Sequence, residues 1–224
     1  MKKYVLLFTI SLVIMSCKTD KDNKTTTELD ETPLTVSEKI AQAYGIENWD
    51  TVNEITFSFN VKKDSTLFKR SWKWSPKTND IYFTSGSDTL NYNRNNMDST
   101  LIRADQAFVN DKFWLLAPYN LVWDSGTTKS EPVQELAPIS QKKLNKLTVT
   151  YPNDGGYTPG DAYDFFYNDD YLIEEWIYRK GNSAEPTMVS TWENNTDLKG
   201  LLMSLSHKKT EDNWELFFTY VSIN

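Results

Sequence analysis

The chain has 224 residues, 39% of them hydrophobic and 14% aromatic, with 24 basic against 31 acidic side chains, one histidine and one cysteine. A formal charge of −7 argues against nucleic acid and against anionic lipid headgroups as partners, because both repel an acidic surface. One histidine and one cysteine are also too few for a zinc site, which draws mainly on those two residue types.

Residues 1–16 read as a lipoprotein signal peptide. Lys2 and Lys3 give a positive start, and Tyr4 to Met15 follow as twelve uncharged residues, the pattern of a secretory signal. A spanning helix needs about 20 apolar residues, so this run is too short for a permanent transmembrane segment. Ile14-Met15-Ser16-Cys17 places an aliphatic residue three before the cysteine and a small one directly before it, as a lipobox requires. Cys17 is therefore expected to carry lipid and to make a membrane the protein's first partner, since two or three acyl chains hold a protein stably where one does not. Cleavage removes two lysines and no acid, taking 24 basic residues to 22 against 31 acidic and the charge to −9. Residues 17–34, which begin with the lipidated cysteine, are too polar to fold and read as a disordered tether. Lys18 in place of an aspartate after Cys17 points to the outer membrane, with the periplasmic face and the cell surface both open.

Residues 35–224 suit one domain. Thr35 and Glu38 have the spacing of a capping box ahead of Ile40, Ala41 and Tyr44, and Gly45 stops that helix. The period then changes to two: Ile55, Phe57, Phe59 and Val61 alternate with polar residues, as do Phe68, Arg70, Trp72 and Trp74, which predicts strands. Ile81–Thr84 and Thr89–Tyr92 read as a hairpin turned at Gly86-Ser87. Asp98 or Ser99 caps a helix carrying Leu101, Ile102, Ala104, Ala107 and Phe108, and a short apolar run, Phe113 to Tyr119, is stopped by Pro118. This mid-chain segment reads as a buried helix closing one end of a barrel, or as a lid over an apolar cavity. Strands are expected again near 132–137, 144–151, 162–168, 171–179, 187–193, 199–207 and 213–222. The fold class is mainly β with a few helices (α+β), its antiparallel strands forming a sandwich or a barrel.

Several short segments carry a resemblance to a known family: Ala43-Tyr44-Gly45-Ile46-Glu47-Asn48-Trp49, Arg70-Ser71-Trp72-Lys73-Trp74, Phe113-Trp114-Leu115-Leu116-Ala117-Pro118-Tyr119, Tyr157-Thr158-Pro159-Gly160-Asp161-Ala162-Tyr163 and Leu172-Ile173-Glu174-Glu175-Trp176. In order and spacing the chain resembles a family of uncharacterised lipoproteins of Bacteroidota-type bacteria, whose architecture is similar to that of the LolA/LolB lipoprotein carriers. The resemblance implies an unclosed antiparallel β-barrel with helices in its mouth and an apolar cavity for acyl chains. It transfers no functional residue to this chain.

No catalytic set emerges. His207 stands beside Lys208 and Lys209 and reads as a solvated surface residue. Glu174 and Glu175 would point to opposite faces of a strand, and Asp169-Asp170 reads as a turn. Neither a cofactor nor a metal is expected, and the chain is read as non-catalytic. The interior aromatics carry the functional expectation: Phe57, Phe59, Trp72, Trp74, Tyr82, Phe113, Trp114 and Trp176 as lining, with Tyr163 and Trp192 near them. Arg70, which interrupts an apolar strand face, should bond a carboxylate or the carbonyls of the mid-chain helix, since it is costly unpaired. The ligand would be a lipid or a lipoprotein acyl chain. The alternative is a surface module that binds glycan or protein around a filled core.

Overall fold

The computed structural model describes residues 33–210 and 213–224. The signal peptide, Cys17 and the tether as far as residue 32 lie outside the described residues. Leu34–Asn224 form one compact unit with its own core.

Helix α1 spans Val36–Ala43. Thr35 accepts from the Glu38 amide while Glu38 accepts from the Thr35 amide at 2.7 Å, so the expected capping box is present. Gly45 ends the segment in the left-handed region at φ 82° and leads into a 3-10 turn, Ile46–Thr51.

Thirteen strands and one long helix follow among the described residues: β1 (Ile55–Lys63), β2 (Thr66–Ser75), β3 (Asp80–Ser85), β4 (Asp88–Asn93), α2 (Ile102–Trp123), β5 (Thr128–Lys129), β6 (Val133–Leu136), β7 (Lys143–Thr150), β8 (Ala162–Tyr167), β9 (Ile173–Arg179), β10 (Met188–Thr191), β11 (Glu193–Leu198), β12 (Leu201–Lys208) and β13 (Trp214–Ile223). They make two antiparallel sheets. The first runs β11-β12-β13-β1-β2-β3-β4, and the second runs β10-β9-β8-β7-β5, with β6 also on β7. The chain passes between sheets at Trp192, the residue separating β10 from β11. Here the Thr191 carbonyl lies 3.2 Å from His207 Nδ1, and the Lys208 amide donates to Thr191 Oγ1 at 3.0 Å. The sheets do not close into a barrel.

Helix α2 occupies the space between them. Phe108 packs on Trp72 and Trp74 of the first sheet, at ring separations of 5.4 and 5.6 Å. On the second sheet Phe113 meets Tyr163 at 4.8 Å and Trp114 meets Trp176 at 4.4 Å. Leu115, Leu116, Ala117 and Tyr119 have no exposure. A helix apolar on several sides belongs in an interior. What read as a short helix and a separate apolar run is therefore helical from Ile102 to Trp123, in two parts that meet at a kink inside the apolar run and pass through Pro118. The proline has no N–H to give the Trp114 carbonyl, and the helix kinks nearby at Leu116 (φ −121°, ψ 17°).

Side chains tie the helix to its surroundings. Arg70 makes a two-pronged ion pair with Asp111, and Trp72 Nε1 donates to the same carboxylate at 2.8 Å. Burial pushes the Asp111 carboxyl up from its ordinary range while the Arg70 guanidinium pulls it back. Asp105, also fully buried, accepts from Arg94 Nε at 2.8 Å, Tyr92 at 3.1 Å and Tyr157 at 2.9 Å. That one carboxylate joins the end of β4, α2 and the 151–161 loop across the open side of the sheets.

Two expectations are corrected. His207 is fully buried, not solvated: its strand faces alternate, so Lys208 points to solvent and the histidine points in. Burial pulls its pKa down to about 4. Glu174 and Glu175 do not diverge as regular strand neighbours would. The register of β8 on β9 slips between Phe166 and Tyr167, and this bulge turns both carboxylates to the 139–142 turn. Glu175 accepts from the Ile139 and Ser140 amides, and Glu174 pairs with Lys142 at 2.9 Å.

Candidate ligand-binding cavity

One flank of α2 is packed solid against the first sheet. The other leaves a cavity of about 1080 Å3 between α2, the second sheet and the 151–158 loop. Its floor is aromatic: Phe113 and Trp114 from the helix, Tyr163 from β8, Trp176 and Tyr178 from β9, and Tyr151 at the end of β7. Met97 and Met188 add flexible apolar surface. Its rim is polar, with exposed Asn110, Ser125, Asp154 and Gly155.

Local sequence explains the position of each wall. In β8, Tyr163, Phe165 and Tyr167 join the main core while Phe166 packs in a second small cluster behind the sheet with Ala137 and Leu144. A strand apolar on both faces is one covered on both sides, and all six β8 residues are buried. On α2, the kink lies between Lys112 and Asn120, whose side chains approach to 3.5 Å. A straight helix would separate them by about 12 Å along its axis. The Lys112 ammonium also lies over the rings of Trp74 and Trp123, 5.5 and 5.8 Å from their centroids. Burial lowers its pKa to about 8, against the opposing pull of Asp124.

The aromatic floor continues inward to the seam of the two sheets. Trp176 touches Trp192 at 5.4 Å, and Trp192 touches His207 at 4.6 Å. Four buried polar atoms in this stretch have no hydrogen-bonding partner among the described residues: Trp176 Nε1, Trp192 Nε1, Ser190 Oγ and His207 Nε2. The Trp114 carbonyl lies near enough to His207 to favour its charged form, but it does not meet Nε2 in hydrogen-bonding geometry.

Of the residues expected to line an interior site, Phe113, Trp114 and Trp176 do so, and Tyr163 with them. Phe57, Phe59, Trp72 and Trp74 are buried in the packed side of the core. There the two phenylalanines flank Phe218 at 5.9 Å each. Arg70 bonds a carboxylate on the mid-chain helix, the kind of partner its sequence position called for, but it stands on the packed side, away from the cavity lining. Tyr82 is 39% exposed, on the outer face of β3, because its neighbours Ile81 and Phe83 take the inward positions. Lys112, Tyr151, Tyr178 and Met188 were not anticipated. For Lys112 a single lysine in a helical stretch carries no mark of burial. Tyr151 and Tyr178 do fall at the inward positions of strands that were expected.

No protein-family model matches the chain, and no curated protein matches it. Among solved structures the chain is similar to a DUF1329 family protein from Desulfovibrio piger, with 9% sequence identity and a TM-score of 0.43 over 84% of this chain and 93% of that one. No matched family or curated protein ties the chain to the Bacteroidota lipoproteins or to the LolA/LolB group.

Proposed function

We propose that this protein is a non-catalytic binding protein of the cell envelope, holding a hydrophobic ligand (a lipid or acyl chain) between α2 and the second sheet. The observation that carries the reading is the cavity itself. At about 1080 Å3 it reaches the upper end of the range for small-molecule sites, and its aromatic floor under a polar rim is the usual composition of such sites. In the same reading Cys17 bears the lipid that fixes the domain to a membrane, most simply the outer one, so the protein acts as a stationary receptor and does not diffuse with its cargo. The LolA/LolB carriers are the architectural analogy for this reading; such an analogy gives no function by itself.

The rival reading, a surface module for glycan or protein, needs a row of exposed aromatics. Phe68, Tyr82 and Tyr220 are exposed, but the rungs beside Tyr82 across the sheet are Lys73, Thr56 and Ser222, so no row forms along them among the described residues.

Native mass spectrometry of residues 18–224 tests the proposal. The expected result is a co-purifying lipid that is lost in Met188→Trp, which fills the cavity from β10 without touching the packed side of α2. A domain that carries no lipid and binds none when titrated with long-chain acids and alcohols would sink the proposal.

A further inference from the structure

The cavity wall holds two cations, and they differ in how they are engaged. Arg94 is held by Asp105 through two bonds, at 2.8 and 3.1 Å. Asp105 also takes Tyr92 and Tyr157, so its oxygens are occupied. Asp124, the other acid on the helix side of the wall, accepts the Tyr151 hydroxyl at 2.6 Å. Lys112 has no carboxylate within 4 Å among the described residues. Its partners are the Asn120 amide oxygen at 3.5 Å and the faces of two tryptophans.

A cation drawn out of water without a counter-ion is unfavourable, and a ring face offsets only part of that cost. An anion entering the cavity would supply the missing partner. Of the acids in the lining, Asp105 already holds Arg94 and two tyrosines and Asp124 holds Tyr151, while Asp154 lies out on the exposed rim, away from the aromatic floor. Phe113 and Trp114, the two residues after Lys112, turn into the aromatic floor and reach Trp176. A polar anchor and an apolar bed thus stand side by side on one helix.

We infer that the cavity takes an anionic amphiphile, a long-chain carboxylate or alkyl phosphate, whose acid group pairs with Lys112 while its chain lies on Phe113, Tyr151 and Tyr178. This rests on the hydrophobic-ligand reading above and specifies the ligand's chemical class. The partly buried setting makes the pair a charge-assisted bond, stronger than a surface ion pair.

The test is titration of residues 18–224 at pH 7 with palmitate, hexadecyl phosphate and 1-hexadecanol, followed by tryptophan fluorescence, in the wild type, Lys112→Met and Lys112→Arg. The wild type should bind one of the two anions about ten-fold or more tighter than the alcohol, the worth of one charge-assisted bond. Lys112→Met should bring anion and alcohol to within about two-fold of each other while its affinity for the alcohol is retained, which also shows that the variant is folded. Lys112→Arg should keep the preference. Whichever anion binds more tightly identifies the acid group. Equal affinity of the wild type for anion and alcohol, or a preference that survives Lys112→Met, overturns the assignment of Lys112 and leaves the hydrophobic cavity standing. Failure of all three probes to bind removes both readings.

Discussion

At the scale of single residues, Gly45 and Asp111 show how little substitution the scaffold accepts. A Cβ on Gly45 would fall 1.9 Å from the Gly200 carbonyl oxygen, at a backbone φ of 82°. The left-handed conformation alone costs roughly 1–2 kcal/mol with a side chain present, and the clash adds to it. Gly45→Ala should therefore lose at least about 2 kcal/mol in urea unfolding. Replacing Gly86, whose Cβ would meet nothing within 4 Å, should cost only the backbone penalty. Asp111→Asn leaves the Arg70 guanidinium without its counter-charge beneath the sheet, and a loss of about 3 kcal/mol is expected. The pair Arg70→Met with Asp111→Leu should recover part of that, but not all, because Trp72 Nε1 then loses its acceptor. Calorimetry on the two variants beside the wild type separates these outcomes. His207 gives a pH signature. Its pKa is about 4 when folded against an ordinary 6.5, so the folded state resists protonation. Stability from this group is intact above pH 6.5, declines as pH falls from 6.5 towards 4, and levels off below. The decline amounts to about 3 kcal/mol over that window. Denaturant midpoints at pH 7, 5.5 and 4.5 should fall less steeply for His207→Gln than for the wild type. Equal slopes would mean that the histidine is hydrated in solution.

At the scale of elements, legibility followed the strength of local periodicity. The alternation at Ile55–Val61 and Phe68–Trp74 became β1 and β2, the Gly86-Ser87 hairpin formed where expected, and Thr35 with Glu38 built the first helix cap. Three elements were opaque for physical reasons. β11 is Glu-Asn-Asn-Thr-Asp-Leu, polar on both faces as befits the outer edge of a sheet, so it carries no alternation. α2 is apolar on several sides, and Pro118 reads as a terminator; with packing from both sheets the helix instead resumes beyond a kink at Leu116. The passage between sheets at Trp192 leaves no local trace, so the strand expected near 187–193 runs straight across the junction. The cavity was partly legible for a related reason. Aromatic positions announce an interior, but they do not say which are packed on one another, like Trp72 on Phe108, and which border the cavity with part of the ring open, like Phe113 and Tyr178.

At the scale of the whole molecule, the central place of β13 bears on how the chain reaches its fold. The strand lies between β12 and β1, paired with Ile55–Lys63 in a register from Ile55 opposite Ile223 to Lys63 opposite Trp214. Non-local pairing of this kind makes folding slow. β1 to β4 can form hairpins as soon as they are synthesised, but the core they face is not complete until β13, last in chain order, is in hand. A chain proposed to cross a membrane before it folds would profit from that delay: it stays threadable until it is through. The cost is a period in which Phe57 and Phe59 lack Phe218 between them, and pulse-labelled chains truncated before Trp214 should remain protease-sensitive throughout.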